Sequence, residues 1–171
     1  FGDKRLIWNP RTWFPRAKIS PNGNFVAMQT IAGTISLYSA NDGKLIHDLK
    51  NKSNTLYALS NSNSGHNIIV GSGNNIISEL ETDNWNLSRL YEGHSTMSLW
   101  SDASSLDQSG VRDIAYSHSG KNIASIGSDG KIMLWDAKKG VLIKSEYHLG
   151  NSTKLIFSLD DKHIYNYKAS R

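Results

Sequence analysis

Residues 20–46 align with residues 117–143 without a gap, at an offset of 97, and ten of the 27 aligned positions are identical. They are Ser20, Gly23, Ala27, Gly33, Ile35, Leu37, Ala40, Gly43, Leu45 and Ile46. Duplication is the economical source of such a match, so the chain has to fold as stacked copies of one unit. The Ser-x-x-Gly of this unit occurs as SPNG at 20–23, SNSG at 62–65 and SHSG at 117–120, with spacings of 42 and 55. A fourth copy starts 41 residues later at Ser158, where SLDD carries Asp161 in the glycine's place.

Each copy follows one grammar. A short apolar strand runs into Ser-x-x-Gly, as in AKIS, LYALS, IAYS and LIFS. A second strand follows (FVAMQ, NIIVG, NIASIG), then a tight turn carrying Gly33, Asn74-Asn75 or Asp129-Gly130. Gly and Asn tolerate the positive φ that hairpin turns require. The third strand alternates (TISLY, IISEL, KIMLW), as a half-buried strand should. A more polar fourth strand closes the unit (KLIHDL, NLSRLY, VLIKSEY), and RLIW at 5–8 has the same character. Four strands in about 40 residues, punctuated by glycine, is the pattern of a propeller blade. The expected fold is all-β, in antiparallel four-stranded blades, with repeat units at roughly 5–38, 44–81, 86–136 and 141–171.

Residues 111–136, VRDIAYSHSGKNIASIGSDGKIMLWD, preceded by Gly93-His94, resemble a repeat of the WD-repeat β-propeller family. The resemblance implies a tetrad of His94, Ser125, Asp129 and Trp135, a closed polar network that satisfies buried groups and fixes strand register. The insertion after His94 makes that residue the one most exposed to displacement. The other copies depart from the pattern, with Met28, Ala32 and Tyr38, or Val70, Asn74 and Leu80, at the last three positions. About three and a half blades are present, and propellers close with 4 to 8. The expectation is an incomplete propeller, closed by the rest of a larger protein or by another chain. The terminal strands RLIW and HIYNYK would otherwise be open edges. The sequence lacks an initiator Met and a signal-peptide pattern, so it is expected to start inside a longer product.

The net charge of +4 is local. Residues 1–18 hold Lys4, Arg5, Arg11, Arg16 and Lys18 against Asp3, and the remainder is balanced at 14 basic and 14 acidic residues. That distribution argues against general nucleic-acid binding. No apolar run approaches the roughly 20 residues that span a bilayer. With no cysteine, disulfides and thiolate zinc sites are excluded, and a reducing compartment, the cytoplasm, is expected.

Two inter-blade connections are the candidates for recognition. The third copy carries a 13-residue excess, within 95–110, that displays Met97, Leu99, Trp100 and Leu106 among Ser and Asp, including Asp102 and Asp107. Long loops on compact folds are often functional. Trp100 and Met97 suit a protein hot spot, or pack into a gap between blades. The loop has no Lys or Arg and would repel phosphate. The second connection, WNPRTWFPR at 8–16, places Arg11 beside Trp13 and Phe14, a composition that fits protein contact, nucleic-acid stacking or a seal between blades.

Catalytic signatures fail on inspection. GHSTM at 93–97 has Met97 where a nucleophile elbow needs glycine, and GSGNN at 71–75 lacks a phosphate loop's third glycine and helix. The six histidines show no metal-ligand spacing, so no metal and no cofactor are expected. The resemblance therefore implies a non-catalytic platform for protein interaction, acting as scaffold or sensor domain of a larger protein or assembly. The alternative from another class is a propeller domain of a larger enzyme, such as a prolyl-oligopeptidase-type hydrolase.

Overall fold

Four strands hydrogen-bonded in chain order, β1 (Arg16–Ile19), β2 (Phe25–Gln29), β3 (Ile35–Ser39) and β4 (Leu45–Leu49), form the first antiparallel sheet. The computed structural model describes residues 16–20, 23–29, 35–49, 56–62, 64–95, 110–148 and 154–167. A second sheet repeats the meander with β5 (Leu56–Asn61), β6 (Asn67–Ser72), β7 (Ile76–Glu81) and β8 (Leu87–Glu92). A third contains β9 (Val111–Tyr116), β10 (Asn122–Gly127), β11 (Lys131–Asp136) and β12 (Leu142–Tyr147). A fourth pairs β13 (Lys154–Phe157) with β14 (Ile164–Tyr167). No α-helix occurs among the described residues, none of which could cross a membrane as an apolar helix.

The duplication reaches the hydrogen bonds. The third and fourth strands slip register at Leu37/Tyr38, Glu79/Leu80 and Leu134/Trp135, which are equivalent positions of the three copies. A second shared bulge breaks the pairing of the first two strands at Tyr57 and at Arg112. The Ser-x-x-Gly turns all place their last residue in the left-handed region: Gly23 at φ 71, Gly65 at 73 and Gly120 at 71. Asp161 takes the same conformation at φ 58. The described turns between second and third strands end on a single left-handed residue, Asn75 or Gly130, with Gly130 N–H donating to Gly127 O at 3.3 Å. Asp129 and Asn74 keep negative φ, so these are three-residue loops and not the two-residue primed turns that Asp-Gly also permits.

Consecutive sheets stack face to face, and each hydrophobic cluster is one seam. Phe25, Ala27, Ile35 and Leu37 meet Ile68 and Val70. Ile69, Ile77 and Tyr91 meet Val111, Ile114, Ile123, Met133 and Trp135. Ala124 and Ile126 meet Leu155 and Phe157. Strand alternation explains the division: Ile123 and Ser125 point back to the second sheet, Ala124 and Ile126 on to the fourth. The outermost strand of the third sheet, β12, is exposed along its whole length. The four sheets form an open array of blades.

Candidate functional site

Ser125 on β10 and Trp135 on β11 lie on one face of the third sheet, and their side chains are at most 1% exposed. Trp135 Nε1–H donates to Ser125 Oγ at 2.9 Å, and Ser125 Oγ lies 2.8 Å from His94 Nε2. His94 Nδ1 lies 3.0 and 3.1 Å from the two oxygens of Asp129. One assignment satisfies every atom. In it Nδ1–H of His94 donates to Asp129 and Nε2 accepts the Ser125 hydroxyl proton, leaving a Ser125 lone pair for the indole. Asp129 also accepts from Ser95 N–H at 3.0 Å and Lys131 N–H at 3.1 Å. Burial pushes the Asp129 carboxyl up, but the hydrogen bonds from His94, Ser95 and Lys131 outweigh it and hold the pKa below the usual range.

The order Ser–His–Asp is that of a hydrolase triad, yet the chemistry is blocked. Ser125 is 0% exposed and its oxygen already holds the Trp135 indole. A nucleophile needs a reachable electrophile, and this one faces packed side chains. The insertion leaves His94 in place, 8% exposed, because Gly93 lets the chain run against Trp135. A Cβ at Gly93 would stand 2.8 Å from the indole Cη2.

The network also fixes the insertion. On one side Ser95 N–H binds Asp129. On the other, Gly110 N–H donates to Ser128 Oγ at 2.9 Å and Gly110 O accepts Ser128 N–H at 2.9 Å. Both ends of the loop are thus pinned to one turn, 128–130. Met97, Trp100 and Asp107 of the insertion, and Arg11, Trp13 and Phe14 of the other connection, lie outside the described residues.

A second network was not anticipated. Glu79, 3% exposed on β7, accepts from Tyr91 OH at 2.9 Å, Tyr116 OH at 2.6 Å and Asn67 Nδ2 at 2.9 Å, with Arg89 at 3.6 Å. Arg89 also donates to Ala137 O, which lies 3.2 Å from the Tyr91 hydroxyl and can share its one proton with Glu79. This bolts the second sheet to the third. Burial, reinforced by Glu79, raises the Tyr116 phenol far above its ordinary pKa. In the sequence Glu79 is an ordinary polar position of an alternating strand; only its equivalence to Leu134 marks it as inward.

Two aspartates secure the third seam. Asp113 accepts Leu155 N–H at 2.9 Å and pairs with Lys154 at 3.3 Å. Asp161 accepts His118 N–H at 2.7 Å and Ser119 N–H at 2.8 Å. Beyond these, a groove of about 650 Å³ opens between β11–β12 and β13–β14, lined by Ile132, Leu134, Lys144, Phe157 and Tyr165 among others. His148 also borders it, with both ring nitrogens buried and without a hydrogen-bond partner among the described residues; burial, then Arg112, keep its pKa below the usual value. Among the described residues no His, Asp and Glu groups converge as metal ligands do.

The sequence model of the family described as "WD domain, G-beta repeat" matches residues 85–136. Two solved structures are similar. "Crystal structure of RRP9 WD40 repeats" shares 13% identity at a TM-score of 0.69, over 84% of this chain and 41% of the other. "Structure of U3-55K" shares 10% at a TM-score of 0.73, over 98% of this chain and 55% of the other. This chain thus spans about half the length of those structures, and at such identities the likeness shows the fold alone. No curated protein matches the sequence. In all, 1306 chains of known structure match, so the fold by itself selects no function.

Proposed function

We propose that this chain, a WD-repeat β-propeller chain by its repeat and its fold, is a non-catalytic platform that captures a protein partner through the insertion at 95–110. The observation that carries the reading is the double anchorage of that insertion, Ser95 to Asp129 and Gly110 to Ser128, on a turn held from below by the buried network. A loop whose ends are already fixed has less entropy to lose when it binds. Its composition supports a protein partner over nucleic acid, with Trp100 and Met97 as anchors and Asp102 and Asp107 in place of any cation. Arg11, Trp13 and Phe14 leave by an equivalent connection and extend the same surface in this reading. The wider role is that of a scaffold or sensor domain within a larger protein or assembly.

The test compares partner capture with melting. Trp100→Ala and Asp107→Ala are expected to lower recovery of a specific protein partner several-fold while Tm stays near that of the parent. A Trp100→Ala variant that melts much earlier and still captures the partner makes the loop a packing element and removes this reading.

A further inference from the structure

His148 directly follows β12, and its backbone ties that strand to the turn that holds the insertion. Its N–H donates to Gly130 O at 2.9 Å. Gly130 follows Ser128 and Asp129, which hold Gly110 and Ser95 at the two ends of the insertion. The His148 ring is not tied in the same way. Both of its nitrogens are buried, and neither has a hydrogen-bond partner among the described residues. A neutral imidazole is tolerated there as a largely apolar ring. An imidazolium is not, because it would bury a charge and two N–H donors without an acceptor. β12 is exposed along its whole length, so its end can leave the turn without uncovering a core.

The charges around the ring point the same way. Arg112 on β9 opposes a second cation. Asp129, between β10 and β11, attracts one, but its oxygens already hold the His94 ring, Ser95 N–H and Lys131 N–H. Lys131 itself lies over the Tyr147 ring, 5.4 Å from its centroid. The groove that His148 borders carries Lys144 and Glu146 on β12 and Asp161, Lys162 and His163 opposite. We propose that His148 is a pH-sensitive latch on the insertion. Neutral, it stays buried beside the turn 128–130 and keeps both ends of the loop in place. Protonated, it leaves, withdraws its N–H from Gly130 O, and lets Ser128 and Asp129 release Gly110 and Ser95. Burial and Arg112 lower the pKa of the ring in the closed form, whereas the open form has the ordinary value of about 6.5. The open form therefore takes up the proton more readily. The latch is at full strength above about pH 6.5 and weakens as pH falls below it, by at most about tenfold in the closed-to-open ratio per pH unit, until the closed-form value is passed. The proposal concerns how the insertion is held, and it does not rest on the insertion binding a protein.

The test follows the amide protection factors of Ser95 and Gly110 from about pH 7.5 to about pH 5, with the intrinsic pH dependence of exchange divided out. In the parent both are expected to fall together below about pH 6.5, by up to about tenfold per pH unit, while the amides of β6 in the second sheet keep theirs. In His148→Phe, whose ring fills the same site and does not titrate, both are expected to stay level. An NMR titration of the His148 ring in the parent should give a midpoint below 6.5, and this reading does not depend on the variant folding. Level protection in the parent across the range overturns the proposal. So does an equal loss in His148→Phe, which assigns the response to another group such as His94, and so does a His148 midpoint at or above 6.5.

Discussion

Trp135 is 1% exposed and supplies both volume and an indole proton to its blade, so Trp135→Ala leaves a cavity and an underused Ser125 oxygen. The expected loss is about 3–5 kcal/mol, read from chemical denaturation. Asp161 works at the opposite edge of the blade. Its left-handed backbone, taken elsewhere by glycine, aims a carboxylate at the turn of the neighbouring sheet. Burial raises its pKa, but the hydrogen bonds from Ser119 and His118 prevail and hold it at about 2. The folded value lies below the unfolded one of about 3.9. The stabilisation is therefore complete above about pH 4 and is lost as pH falls toward about 2. Asp161→Asn should lower Tm at pH 5–8, and the gap to the parent should shrink below pH 4; a gap independent of pH would mean that the charge does not matter. His94, Ser125, Asp129 and Trp135 were legible through the resemblance of residues 111–136 to a WD repeat, which implies where those four residue types fall. Glu79 was not, because its partners lie 12 and 37 residues away and nothing in IISELE separates a buried glutamate from a wet one.

Among the elements, the strands followed directly from alternation and turn residues, since each copy repeats the same period. The seams did not, because they depend on residues peculiar to one copy. Trp85 illustrates this. It holds φ 60 at the turn where Gly43 and Gly140 sit at 70 and 72, a conformation that costs a bulky residue about 1–3 kcal/mol. It is offset by packing across the first seam, stacked on His47 at 5.6 Å and edge-on to Phe25 at 6.0 Å. Gly110 is the corresponding constraint on the insertion. Its φ is 112, and a Cβ there would fall 2.5 Å from the Gly73 Cα and the Ser72 carbonyl, both backbone atoms that cannot step aside. Gly110→Ala should cost at least about 1–3 kcal/mol and loosen the end of the insertion, seen as a lower Tm together with faster proteolysis within 96–109. Unchanged proteolysis would show that the loop does not depend on this anchor.

At the scale of the whole molecule, the described residues form a row of blades whose polar networks lie inside and between sheets and hold them together. The buried network of the third blade and the turn above it hold both ends of the insertion. Amide hydrogen exchange measures this directly, because the relevant donors are single, assignable groups: Ser95 N–H, Gly110 N–H and the Trp135 indole N–H. Protection reports the free energy of opening at each site. The account predicts that all three exchange slowly in the parent. In Asp129→Ala, Ser95 and the Trp135 indole should lose protection together and Gly110 should follow, while β6 and β7 of the second blade keep theirs. Free exchange of Ser95 and Gly110 in the parent, beside slow strands on either side, would contradict it.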